Sequence, residues 1–136
     1  MDIAPYLNFD GSCGEAFRFY ERVLGGRIEF IQTFGDSPMA DQTPAEMRDR
    51  VIHVSLSVGG QRIFGSDAPP PHCQKPQGFS ISLQIAEAAE ARRVFGALSE
   101  GGSVTMPLEK TFWAPLFGMC VDRWGTPWMV NCEQGD

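Results

Sequence analysis

One unit is written twice in this chain. Residues 15–24 carry apolar side chains at helical spacing and end in Gly25-Gly26; residues 87–100 do the same and end in Gly101-Gly102, 76 positions on. A strand-like run precedes each stretch and several more follow it. Two similar strand–helix–strands halves predict a fold made of paired modules, with a cleft available between or within them. This restricts the architecture far more than it restricts a substrate.

In the first half, residues 3–9 predict a strand, and Pro5 suits its start or an edge position. Ser12 and Glu15 have capping-box spacing. Ala16, Phe17, Tyr20, Val23 and Leu24 then fall on one helical face. Residues 27–34 predict a second strand. The polar connection 35–50 contains Thr43-Pro44-Ala45-Glu46, which predicts one or two helical turns. Residues 51–58 alternate: Ile52, Val54, Leu56 and Val58 point one way, His53, Ser55 and Ser57 the other. Gly59-Gly60 turns the chain into a strand over 61–65. Residues 68–78, with Pro69, Pro70, Pro71 and Pro76, predict an extended linker. In the second half Phe79, Ile81, Leu83 and Ile85 alternate with Ser80, Ser82 and Gln84. The helix there buries Ala91, Val94, Phe95 and Leu98, and strands follow at 103–106, 116–121 and 128–132. The last two join through Asp122-Arg123-Trp124-Gly125, where Gly125 can take positive φ. The expected organisation is a single α+β domain over 1–136: module one 1–67, linker 68–78, module two 79–136.

A helix covers one face of each small sheet, using the apolar rows. The other rows are too polar for a second dry core, and a curved sheet with a polar concave face is a natural ligand cavity. The plainer alternative is that those rows face water, as one side of an antiparallel sheet can.

A formal charge of −6 argues against a nucleic-acid partner, because phosphate binding rests on Lys and Arg. No apolar run approaches the ~20 residues that span a bilayer. Met1-Asp2-Ile3 opens no signal-peptide pattern, so a cytoplasmic location is expected. The cysteines at 13, 73, 120 and 132 form no C-x-x-C pair and are expected as reduced thiols.

These residues resemble the vicinal oxygen chelate superfamily of glyoxalase I, extradiol dioxygenases and bleomycin- and fosfomycin-resistance proteins, and within it the PhnB-like branch. The resemblance is carried by Pro5-Tyr6-Leu7-Asn8-Phe9-Asp10-Gly11 with Cys13 and Glu15-Ala16, then Phe19-Tyr20. It continues through His53, Met106-Pro107-Leu108-Glu109 with Phe112-Trp113, and Val121-Asp122 with Trp124-Gly125 and Trp128. It covers nearly the whole chain, and the Met106 to Trp113 segment is its most specific part. It implies the glyoxalase/bleomycin-resistance-like fold: two βαβββ modules in tandem, eight mixed and antiparallel strands forming a cup, and a homodimer. Metal-using members place four ligands on the concave strands. Carried over by position, those slots are Pro5 (or Tyr6, with the register shifted by one), His53, Ser80 and Met129. Only His53 is a competent ligand for a divalent ion. Some PhnB-like proteins bear a ubiquinone-related methyltransferase label. A nucleotide cradle needs a glycine-rich turn leading from a strand into a helix, and Gly59-Gly60 lies between two strands.

His53 is the best single candidate for catalysis, as a general base near neutral pH; its alternative role is a structural or ligand-orienting histidine. Cys13, at a helix start, is either a reactive thiol or a small packing residue. Phe112, Trp113, Phe117, Trp124 and Trp128 are dense enough for an apolar ligand and equally ordinary for a core or dimer interface. Glu109-Lys110 and Asp122-Arg123 read as solvated surface charges.

The leading expectation is a metal-independent small-molecule-binding protein with no cofactor. Its ligand would be held by Asn8, His53, Ser55, Ser80, Ser82, Trp113, Met129 and Asn131, and drug sequestration belongs in this class. The alternative is a metal-dependent lyase, isomerase or dioxygenase. A third reading is a structural dimeric module without a cavity.

Overall fold

The structure is a computed structural model describing residues 1–69 and 72–136. Of the expected linker, Pro70 and Pro71 lie outside the described residues. The chain forms two compact units, Met1–Gln74 and Lys75–Asp136.

The first unit runs β1 (Tyr6–Phe9), α1 (Cys13–Leu24), β2 (Arg27–Thr33), β3 (Val51–Val58) and β4 (Gln61–Asp67). Its sheet order is β1-β4-β3-β2, with β1 parallel to β4 and the other pairs antiparallel. The second unit runs β5 (Ile81–Ile85), α2 (Ala88–Ser99), β6 (Ser103–Glu109), β7 (Leu116–Val121) and β8 (Pro127–Cys132). Its order, β5-β8-β7-β6, repeats the first with β5 parallel to β8.

The helices form where the apolar spacing predicts. Helix α1 buries Ala16, Phe17, Tyr20 and Val23, and also Phe19, over whose ring the Arg22 guanidinium lies at 5.5 Å. Helix α2 buries Ala88, Ala91, Val94, Phe95 and Leu98. Their cores are completed by Leu7, Phe9, Val54, Leu56 and Ile63 in one unit, and by Leu116, Cys120, Trp128 and Val130 in the other. Each large side chain buried this way contributes about 1.5–3 kcal/mol.

The glycine pairs that mark the repeat have two jobs. Gly25 and Gly101 take φ of 69° and 77°, turning the chain out of each helix. Gly26 and Gly102 let backbone approach backbone: a Cβ would stand 2.5 Å from the Ser57 carbonyl oxygen in one unit and 2.0 Å from that of Val121 in the other.

Several expectations are corrected. The capping box does not form, since Ser12 makes no side-chain cap bond. The first turn of α1 is instead tied by a distant residue: the backbone N–H groups of Gly11 and Cys13 donate to Asp67 Oδ1, and that of Val51 to Oδ2. Helix α2 likewise takes its acceptor from beyond the last strand, Ala88 N–H donating to Gln134 Oε1 at 2.8 Å. Strand β1 starts at Tyr6, and Ile3 is exposed. The 35–50 connection holds two short 3-10 turns, Ala40–Gln42 and Ala45–Met47. Pro44, not Thr43, precedes the second, and the Thr43 hydroxyl donates back to the Met39 carbonyl. Phe79 and Ser80 precede β5, and Phe79 is exposed. Strand β6 continues through Pro107 to Glu109, because on an edge strand a missing N–H breaks no ladder. Asp122 is not a solvated charge: it is buried and accepts from the backbone N–H groups of Trp124 and Thr126 and from the Trp128 indole N–H.

Candidate functional site

In each unit the sheet face away from the helix is the open one, and alternation decides which residues it presents. Leu7 and Phe9 turn to α1, so Tyr6 and Asn8 turn to the open face. This settles the first-strand register in favour of Tyr6 over Pro5. The parallel ladder sets Tyr6 beside Phe64 and Asn8 beside Ser66. Across β3, Ser55 pairs with Phe64 on one side and Phe30 on the other, and His53 pairs with Gln32.

His53 is thereby ringed by aromatic side chains. Its ring centroid lies 5.7 Å from Tyr6, 6.1 Å from Phe30 and 5.5 Å from Phe64. Its Nδ1 is 3.1 Å from the Tyr6 hydroxyl. If the phenol donates to Nδ1, Nε2 is a hydrogen-bond donor; if Nδ1–H donates to the phenol oxygen, Nε2 is an acceptor, and in both tautomers Nε2 is the ring nitrogen left to a ligand. Among the described residues nothing hydrogen-bonds Nε2. The Ser66 hydroxyl donates to Asn8 Oδ1 at 3.5 Å, a loose contact. Ser55 is buried between its aromatic strand partners. At the rim, Arg62 and Glu29 form a 2.9 Å ion pair.

The open face of the second sheet has different chemistry. Ser82 pairs with Met129 and Gln84 with Asn131. Asn131 Nδ2 donates to Gln84 Oε1 at 2.8 Å, and Gln84 Nε2 to the Ser82 hydroxyl at 3.1 Å, so the polar row is linked along its length. Met119 pairs with both Met129 and Met106. Phe117, the strand partner of Asn131, carries Trp113 on its ring at a centroid distance of 5.4 Å. Ser80 stands one residue before β5.

Of the expected site residues, Asn8, His53 and Ser55 share the first open face, and Ser82, Met129 and Asn131 share the second, with Trp113 at its margin. The sequence reading missed Phe30, Phe64 and Gln84 as members of these faces. Phe64 had a readable signal, an apolar residue out of phase with Ile63. Phe30 had none, because a bulge intervenes between Ile28, which pairs with Leu56, and Phe30, which pairs with Ser55. The two residues have the same parity and face opposite ways.

A divalent metal does not suit either face. The first offers a single imidazole; the second offers thioethers, amides and a hydroxyl. Among the described residues no three His, Cys, Asp or Glu side chains gather closely enough to hold an ion. Gly59-Gly60, at φ of 56° and 83°, makes the hairpin turn between β3 and β4. The Cys13 thiol is pushed up far beyond its ordinary value by burial and by the Asp67 carboxylate, which excludes it as a nucleophile at neutral pH. No described helix is long and apolar enough to cross a membrane.

Relatives of known sequence and structure bear on the fold and the family. Residues 1–131 match the family described as 3-demethylubiquinone-9 3-methyltransferase. The chain is 34% identical over 139 residues to Protein YjdN of Escherichia coli (strain K12), covering 96% of this chain and 95% of that protein. It superposes on protein PA1353 of Pseudomonas aeruginosa with a TM-score of 0.89 and 50% identity, covering 98% of each chain. The fold alone is shared with the Bacillus cereus PhnB protein, at a TM-score of 0.83 and 24% identity, covering 97% of this chain and 99% of that one. It is also shared with the fosfomycin resistance protein FosX of Listeria monocytogenes, at 0.65 and 9%, covering 97% and 92%. The duplicated βαβββ units thus have the glyoxalase/bleomycin-resistance-like fold, and the chain belongs to the PhnB-like family, described as 3-demethylubiquinone-9 3-methyltransferase, of that superfamily.

Proposed function

We propose that this protein binds a small organic molecule without a metal ion, and that the open face of the first sheet is the principal contact. The observation that carries this reading is His53 with its Nδ1 engaged by Tyr6, its Nε2 free of partners among the described residues, and Phe30 and Phe64 beside it. One directed polar atom among aromatic surfaces suits an apolar or flat molecule bearing a single hydrogen-bonding group. Asn8 extends the polar contact on this face, where Ser55 lies buried between Phe30 and Phe64. Ser80, Ser82, Met129 and Asn131, with Trp113 at the margin, form the corresponding face of the second unit. The methyltransferase in the family description is not part of this reading, since the Gly59-Gly60 turn joins two strands and cradles no nucleotide. The reading places the protein in the cytoplasm as a homodimer. The support for a dimer is the family resemblance.

The test is native mass spectrometry of protein taken directly from cells, together with metal analysis after incubation with Zn²⁺, Ni²⁺, Mn²⁺ and Fe²⁺ and desalting. A retained organic ligand that survives chelator and is lost from His53→Ala supports the proposal. Stoichiometric metal retention abolished by His53→Ala replaces it with a metal-dependent lyase, isomerase or dioxygenase. Sedimentation velocity checks the dimer.

A further inference from the structure

A concavity of the second unit lies beside the open face and is built differently from it. It is a cleft of about 720 Å³, within the range of small-molecule sites. The loop between β6 and β7 contributes Lys110, Phe112 and Trp113, β7 contributes Leu116, α2 contributes Arg92, and the last residue, Asp136, closes one side. Glu109 is the other carboxylate in the lining.

Three features point to one ligand chemistry. Phe112 and Trp113 are 97% and 52% exposed and stack edge to face at 4.7 Å, so the cleft has an aromatic wall presented to solvent. Arg92 offers its guanidinium in the two-point manner that suits a carboxylate, and a carboxylate already occupies it: Asp136 accepts from Nε at 3.0 Å and from Nη2. Both partners are half exposed, so that contact is weak and exchangeable. Lys110 has no ion-pair partner among the described residues and adds a second positive charge to the same cleft.

We propose that the cleft binds a planar aromatic carboxylate, with its ring against Trp113 and Phe112 and its carboxylate on Arg92 in the place Asp136 holds. Asp136 then acts as a resident competitor that lowers apparent affinity without abolishing binding. This site is separate from the His53 face and does not depend on the reading given for it.

The experiment is calorimetric titration of the whole chain with 2-naphthoate and, as the uncharged control, 2-naphthamide, with the contact mapped by amide shifts in ¹H–¹⁵N spectra. Asp136→Asn should tighten 2-naphthoate by roughly two- to fivefold, the worth of an exposed ion pair. Arg92→Gln should weaken it by about tenfold or more, the worth of a charge-assisted contact. Neither change should alter the response to 2-naphthamide. Both side chains are exposed, so the variants keep the fold, and amide-shift dispersion verifies this. The proposal is overturned if Arg92→Gln binds 2-naphthoate as the parent does, if Asp136→Asn is no tighter, or if neither parent nor Asp136→Asn binds it. Shifts confined to Tyr6, Phe30, His53 and Phe64 would also sink it, while leaving the proposed ligand face intact.

Discussion

The two open faces occupy equivalent places in equivalent sheets, yet their chemistry has diverged. Ladder register matches them residue by residue: Tyr6 with Ser82, Asn8 with Gln84, Phe64 with Met129, Ser66 with Asn131, Ser55 with Met119, His53 with Phe117, Phe30 with Met106. One face is an imidazole among aromatic rings. The other is a hydrogen-bonded amide row beside thioethers. One pair kept its logic, since Ser66–Asn8 and Asn131–Gln84 both link the last strand to the first. The Tyr6–His53 bond has no counterpart. Beneath these faces the scaffold is the same, down to the Gly26 and Gly102 approaches and a bulge at the same point of β2 and β6. The helix-facing side obeys packing, where a misplaced methylene is felt at once. The open side obeys only what it contacts, and is free to differ.

The largest effects should come from the shared scaffold. Gly26→Ala and Gly102→Ala each force a methyl group into a backbone carbonyl oxygen. We expect a loss of about 3 kcal/mol in urea unfolding from either, with Gly102 at least as sensitive because its approach is closer. A result under about 1 kcal/mol for either would break the equivalence of the two units. Asp67→Ala and Asp122→Ala come next, at about 2–3 kcal/mol each, because each leaves buried N–H groups without an acceptor. The faces should behave oppositely. His53→Phe, which copies Phe117 onto the first face, should change stability by less than about 1 kcal/mol while removing the ligand retained in native mass spectra.

The smallest effect concerns the thiols. Burial raises the Cys13 and Cys120 thiols above the ordinary 9.0. They stay protonated in the folded chain at pH values where the unfolded chain ionises. Their contribution to stability is therefore complete below about pH 9 and falls as pH rises beyond it, which unfolding midpoints at pH 8 and pH 10 would register. Native protein at pH 8 should expose only Cys73 to a thiol reagent, and that slowly, since burial and the Asp10 and Asp67 carboxylates raise it too.

Much of this was legible from local pattern. The helical faces of α1 and α2, the alternation of β3 and the glycine pairs after each helix could be read because period and turn chemistry are properties of neighbours along the chain. The amino-acid order therefore determined the duplicated βαβββ plan and which side of β3 carries His53. Tertiary structure alone decided that Phe30 and Tyr6 stand beside His53. Phe30 reaches it only because the bulge after Ile28 reverses the parity of β2, and Tyr6 through parallel pairing with a strand nearly 60 residues away, whereas Phe64 comes through the local β3–β4 hairpin and was readable from its phase against Ile63. It also decided that Asp67 and Asp122 are buried acceptors, because hydrogen bonds to N–H groups far along the chain, or folded back around a turn, leave no period to read.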